Sequence, residues 1–247
     1  MAPTKIYFVN QVRCSKETEK MNSISKIKLI LWDIDGTLMH CGSDGTKALN
    51  RTFFELYGVE NAFARAGIGS AMDGVILHRI MDSFGLDKSN MENVKRQYVG
   101  ILEEILNENQ SKTVLPGVLE LLEYIDHSEN CFNALLTSNL KQGAVTKLQS
   151  VGLSKYFHVG GFGDDYGEKW DAAIKGITEA EKYYNVFFPQ ENIYLIGDSA
   201  YDIQCAKKMG INSIGVATGW MDFEVLKSHE PDYLYKDLSH WNQVAFI

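Results

Sequence analysis

A chain of 247 residues is long enough for one large domain, or for a core that carries a smaller inserted one. Its composition, 45% hydrophobic and 23% charged, is that of a soluble globular protein and excludes a disordered one. The formal charge of −8 and the lack of a Lys/Arg block argue against nucleic acid, and no apolar run approaches the roughly 18 residues of a membrane span.

Near its start the chain has a short apolar patch, from Ile6 to Val9, shorter than the apolar stretch of about 7–15 residues in a secretory signal. Polar residues follow it. Residues 1–25 are therefore read as an N-terminal extension, either a loose appendage or an added strand. The four cysteines, Cys14, Cys41, Cys131 and Cys205, are scattered without a CxxC pair. That pattern fits a reducing cytoplasm better than a zinc site or a disulfide framework.

Strands are predicted at 27–32, 132–136, 158–162, 193–196 and 213–217. Each is a short apolar run with little alternation, as expected for a parallel sheet covered on both faces. Helices are predicted at 118–125, 142–151, 170–184 and 202–209, between the strands; Gly152 and Gly210 act as stops. Alternating strands and helices imply a doubly wound, mostly parallel Rossmann-like α/β core. Residues 41–112 break the pattern. They hold no good strand but three candidate helices, at 46–57, 74–84 and 90–107. This block is too long for a crossover and is read as an inserted all-helical cap domain. The core then comprises 26–40 and 113–247.

Ligands in open α/β sheets bind beyond the carboxyl ends of the strands. There the chain places Asp33, Asp35, Gly36 and Thr37 after the first strand, and Thr137, Ser138 and Asn139 after the second. The loop 163–169, ending in Lys169, follows the third; Asp198 and Asp202 follow the fourth. Each has a plain explanation singly: turn residues, a helix cap, a solvated lysine. Helix caps do not explain four aspartates at one sheet edge. Two carboxylates 4 Å apart repel by about 4 kcal/mol at an effective dielectric near 20, so the cluster calls for a cation. Oxygen-only ligands favour Mg²⁺. Four carboxylates, one Mg²⁺ and one lysine leave about −1, low enough for a phosphate to enter between backbone N–H donors.

These motifs resemble those of the haloacid dehalogenase superfamily, and the insertion is similar to the cap of its phosphoglycolate phosphatase-like members. The resemblance covers nearly all of the chain from residue 26. Asp33-x-Asp35-Gly36-Thr37 looks like the first motif, Thr137 the second, Lys169 the third, and Gly197-Asp198-x-x-x-Asp202 the fourth. Lys169 precedes Trp170 where the pattern usually has proline, which keeps Lys141 and Lys175 as alternatives. The stretch from Gly69 to Gly74 falls at a family cap loop but lacks its arginine and threonine.

The resemblance implies Mg²⁺-dependent hydrolysis of a small phosphorylated metabolite, a phosphomonoester, through an aspartyl-phosphate on Asp33. Asp35 is implied as acid and base, with a pKa above that of Asp33. Gly36, Thr37, Thr137, Ser138, Asn139 and Lys169 would serve the phosphoryl group. Asp33, Asp35 through its backbone carbonyl, Asp198 and Asp202 would serve the metal. Asp35 argues against the dehalogenase and phosphonate-cleaving branches. A hexose-phosphate mutase of the same superfamily and a silent phosphate- or Mg²⁺-binding regulator are the competing readings.

Overall fold

The computed structural model describes residues 27–67, 71–164 and 167–247. The predicted extension at 1–25 lies outside the described residues, as do Gly69 and Ser70 of the cap loop.

Five strands form the body of the fold: β1 (Lys28–Trp32), β4 (Cys131–Leu136), β5 (Gly160–Gly161), β6 (Ile193–Gly197) and β7 (Asn212–Val216). With β8 (Tyr233–Tyr235) they make a six-stranded sheet in the order β5-β4-β1-β6-β7-β8, parallel at every pairing. The apolar runs explain the burial. Leu29 and Leu31 pack into one hydrophobic cluster while Ile30 and Trp32 pack into another, as alternate residues of a strand with helices on both faces must. The indole of Trp32 also donates to Asn133 Oδ1 at 2.9 Å, tying β1 to β4.

β1 sits where the strand order reverses, with β4 on one side and β6 on the other. Trp32 is level with Leu135 and with Ile196. The residues after the three strands therefore emerge at one edge, the usual place for a ligand in such sheets. Helices α5 (Val118–Asp126), α6 (Lys141–Ser150), α7 (Lys169–Tyr184), α8 (Ala200–Met209) and α9 (Phe223–Ser228) complete the core.

The predicted insertion is helical: α1 (Asp44–Tyr57), α2 (Ala62–Arg65), α3 (Asp73–Ser83) and α4 (Met91–Glu108). The chain enters and leaves it through a small antiparallel ladder, β2 (Met39–His40) with β3 (Thr113–Val114). Its buried side chains join those of the core in one cluster, in which Phe53, Ile80 and Leu102 lie with Leu140 and Leu148. Contact is close where α4 crosses α6, since a Cβ on Gly143 would lie 3.6 Å from Leu102 and 3.7 Å from Tyr98.

Besides the β2–β3 ladder and α9, which the sequence reading did not give, further elements depart from it. The third strand, expected at 158–162, is only Gly160–Gly161. Backbone packs tightly there, which requires glycine: a Cβ on Gly161 would come within 2.0 Å of the Ala172 carbonyl oxygen. Helix α2 has four residues, too few for a periodic signal. Strand β8 has three, Tyr-Leu-Tyr, and is docked by Asp232, which accepts hydrogen bonds from the N–H (2.8 Å) and hydroxyl (2.7 Å) of Ser213 on β7.

Candidate active site

Asp33 follows β1, and its backbone N–H donates to Ile196 O at 3.0 Å, which holds it beside β6. Asp198 and Asp202 come from the turn after β6 and the first turn of α8. Ser199 caps that helix, and its N–H (3.1 Å) and hydroxyl (2.5 Å) both donate to Asp202 Oδ2. Asp33, Asp198 and Asp202 are all buried, with one carboxylate oxygen of each lying within 4.8 Å of the others. Lys169 opens α7, is only 2% exposed, and lies 3.0 Å from Asp33 Oδ1 and 2.5 Å from Asp202 Oδ1. The alternatives lie elsewhere: Lys141 sits over the Phe162 ring, and Lys175 is exposed.

Three buried carboxylates and one ammonium leave an excess of negative charge. Burial, followed by the neighbouring Asp33 and Asp202, pushes the Asp198 carboxyl up to about 8. Burial, with Asp202 and Asp35 nearby and opposed by Lys169, pushes Asp33 up to about 6. Burial alone would lower Lys169, but Asp202 and Asp33 outweigh it and hold its pKa above the ordinary value. An oxygen-only set in this state fits a hard divalent cation such as Mg²⁺. Gly36 makes room for the set. It has φ +76, and a Cβ there would stand 2.4 Å from Asp198 Oδ2.

Asp35 has partners of its own, although its charge also acts on Asp33. Lys147 Nζ donates to both of its oxygens, at 2.8 and 2.6 Å, and Asn139 Nδ2 donates to Oδ2 at 2.8 Å. The Cys41 thiol reaches Oδ1 at 3.6 Å, and burial pushes that thiol up to about 12, which leaves it inert. Burial would raise the Asp35 pKa, but Lys147 and Asn139 together lower it below its ordinary value. By these neighbours alone, with no metal ion counted, Asp33 stands above Asp35. The reason is physical: the cation the sequence could not place, Lys147, pairs with Asp35, while Asp33 carries the crowding.

Thr137 Oγ1 accepts from Asn139 Nδ2 at 2.7 Å and from Asn139 N at 3.2 Å, so its own proton is left to donate. Ser138 and Asn139 line the adjoining cavity. The N–H groups of Gly36 and Thr37 are engaged in the turn, with Met39 O (2.9 Å) and Ile34 O (3.2 Å), so they are not donors for a ligand. The Thr37 hydroxyl is buried and has no partner among the described residues.

The cavity measures about 340 Å³ and is bounded by Asp35, Asn139 and Lys147 from the core and by Leu49, Phe63, Asp73, Ile76 and Tyr98 from the insertion. Trp220, 85% exposed, stands at its rim, while Met221 packs inward, its sulfur 3.3 Å from the Ala200 N–H. The N-terminus of α3 is latched to the core: Asp73 N donates to Ser138 O (2.8 Å), Gly74 N to Gly163 O (2.7 Å), and Leu140 N to Asp73 Oδ2 (3.0 Å). Burial pushes Asp73 up to about 6.

Sequence reasoning missed Lys147 and Tyr98, and reached Asp73 only as part of the Gly69–Gly74 stretch. Lys147 left one trace: it occupies the buried face of α6 with Gly143, Ala144 and Leu148, where an apolar residue is the rule.

The family model for haloacid dehalogenase-like hydrolases matches residues 30–216. A phosphoglycolate phosphatase of Vibrio vulnificus is 26% identical over 226 residues, spanning 90% of this chain and 97% of its own. Two solved structures share the fold. A hydrolase from Pseudomonas syringae superposes with a TM-score of 0.65 at 22% identity, covering 88% of this chain and 99% of its own. CbbY from Rhodobacter sphaeroides, in complex with phosphate, superposes with a TM-score of 0.66 at 19% identity, covering 89% of this chain and 98% of its own.

Proposed function

The chain belongs to the haloacid dehalogenase-like hydrolases, and on that premise we propose that it is a phosphatase that hydrolyses a small phosphomonoester through an aspartyl-phosphate on Asp33. The observation that carries this reading is the buried group of Asp33, Asp198, Asp202 and Lys169 at the strand ends, two residues from Asp35, which lines a cavity shared with the helical insertion. The match to a phosphoglycolate phosphatase supports the reaction class.

Asp33 attacks the phosphorus. Its carboxylate forms an O–P bond while the bond to the leaving oxygen breaks. Asp35 gives its proton to that oxygen and then takes one from the water that cleaves the acyl phosphate. Asp35 rests ionised, the form needed for the second step. An arriving phosphate dianion adds negative charge beside it and favours the protonated form needed for the first. Lys169 offsets charge on the phosphoryl oxygens, with Thr137 donating its free proton to one of them.

Asp33, Asp198 and the Asp35 backbone carbonyl would hold Mg²⁺, with Asp202 fixed behind them by Ser199 and Lys169. The ion supplies the charge that lets a phosphate approach these carboxylates. Residues 41–112 act as the cap that excludes water from the cavity.

The test is a panel of phosphomonoesters, hexose phosphates included, assayed with Mg²⁺ and with EDTA. The expected outcome is Mg²⁺-dependent release of inorganic phosphate that Asp33→Asn abolishes. Conversion of a hexose 1-phosphate to its 6-phosphate without free phosphate would instead identify a mutase. Binding of phosphate or Mg²⁺ without turnover of any ester would overturn the enzymatic reading.

A further inference from the structure

Lys147 belongs to none of the four motifs, yet it is only 4% exposed and sits at the centre of the network around Asp35. A buried ammonium is costly unless paired and fully hydrogen-bonded, so a helix face that needed only packing would carry an apolar residue there. Its bonds are specific. An ammonium has three N–H donors. Lys147 has three short acceptors: both Asp35 oxygens, at 2.8 and 2.6 Å, and Asn139 Oδ1 at 2.7 Å. No donor is left over for a substrate. Asn139 closes the circuit, with Nδ2 donating to Asp35 Oδ2 at 2.8 Å and to Thr137 Oγ1 at 2.7 Å.

Two donors thus grip Asp35 from the core side, while its side chain keeps 41% of its exposure and borders the cavity. The insertion covers the other side of Lys147. A Cβ on Gly45 of α1 would lie 3.7 Å from Lys147 Nζ and 3.6 Å from Tyr98 Oη.

We propose that Lys147 is a positioning residue for Asp35: together with Asn139 it fixes the carboxylate at the cavity wall in the orientation required for proton transfer to the leaving group. The proposal rests on the acid–base role given to Asp35 above. It assigns Lys147 no contact with substrate. A long flexible carboxylate arm is not needed, because the fixed cation and amide hold a short one in a single orientation.

The experiment compares wild type, Lys147→Met, Asn139→Ala and Asp35→Asn on two substrates. One is p-nitrophenyl phosphate, whose leaving group departs without a proton. The other is the best unactivated alkyl phosphate from the panel. The rate of the first turnover is read for each. For Lys147→Met, the alkyl ester is expected to slow by about 100-fold or more, the lower range for losing general acid catalysis. The aryl ester should slow by less than about tenfold, and KM for both should stay within about threefold.

Equal losses on both esters, or a raised KM with kcat unchanged, would overturn the proposal. Asn139→Ala carries the same expectation and decides the matter if Lys147→Met does not fold. Asp35→Asn separates the two levels. If it shows no leaving-group dependence, the acid–base reading itself fails. If it shows that dependence and Lys147→Met does not, only the positioning role fails.

Discussion

Asp33, Asp198 and Lys169 were legible in the sequence because each stands at a fixed place after a strand, and strand ends are the part of an α/β sheet that a sequence marks best. Lys147 was not legible, because its partner Asp35 lies 112 positions away and only the fold brings them together. The Gly36 N–H illustrates the opposite error. A glycine after two aspartates reads as a phosphate donor, whereas its N–H closes the turn on Met39 and its missing Cβ makes space for Asp198. A prediction follows for Gly36→Ala. The added Cβ meets Asp198 Oδ2 at 2.4 Å and strains a backbone at φ +76. Mg²⁺ affinity, followed by calorimetric titration, should fall by about tenfold or more in a variant that still folds. Unchanged affinity would remove Asp198 from the metal set.

At the scale of elements, the long helices of the insertion and the central strands were readable from periodicity and apolar runs. Helix α2, strand β8 and the two-residue ladder between β2 and β3 were not, since two to four residues carry no period. The junction between core and insertion is held by a side chain that no pattern predicts. Asn109 Nδ2, at the end of α4, donates to Cys41 O at 3.2 Å and to Asp44 Oδ2 at 2.5 Å, so the outgoing chain grips the incoming one. Asp44 is 1% exposed and keeps only Lys47, at 2.9 Å, as a further partner among the described residues. Asn109→Ala leaves that buried carboxylate short of a donor, at a cost of about 1–3 kcal/mol. For a chain of this size the melting temperature should drop by about 2–12 °C. A melting temperature within a degree of wild type would show that the junction does not depend on this clamp.

At the scale of the molecule, the concentration of buried carboxylates sets a pH dependence. Asp33 and Asp73 are pushed up to about 6 and Asp198 to about 8, mainly by burial, against about 3.9 in an unfolded chain. Between those values the folded protein binds more protons than the unfolded one, so its stability falls as pH rises from about 4 to about 8. Asp35, which is lowered, contributes stability that is already complete above about pH 4 and is lost only below it. Melting temperature in EDTA should therefore decline from pH 5 to pH 8. On the proposed function Mg²⁺ binds the ionised carboxylates, so the rise in melting temperature on adding it should be larger at pH 8 than at pH 5. A flat or rising curve in EDTA would contradict the crowding of Asp33 and Asp198. The acidic cluster was visible in the sequence; which aspartates join it and which pairs with Lys147 depended on side-chain direction, which the sequence does not encode locally.

The central claim is that phosphate passes through Asp33. The direct measurement is an acid quench of the enzyme during turnover of a phosphate-labelled substrate with Mg²⁺, followed by peptide mapping of the label. Label on Asp33, labile to hydroxylamine and lost in Asp33→Asn, is the predicted result. Mg²⁺-dependent turnover with no label on Asp33, or with label on another residue, would contradict it.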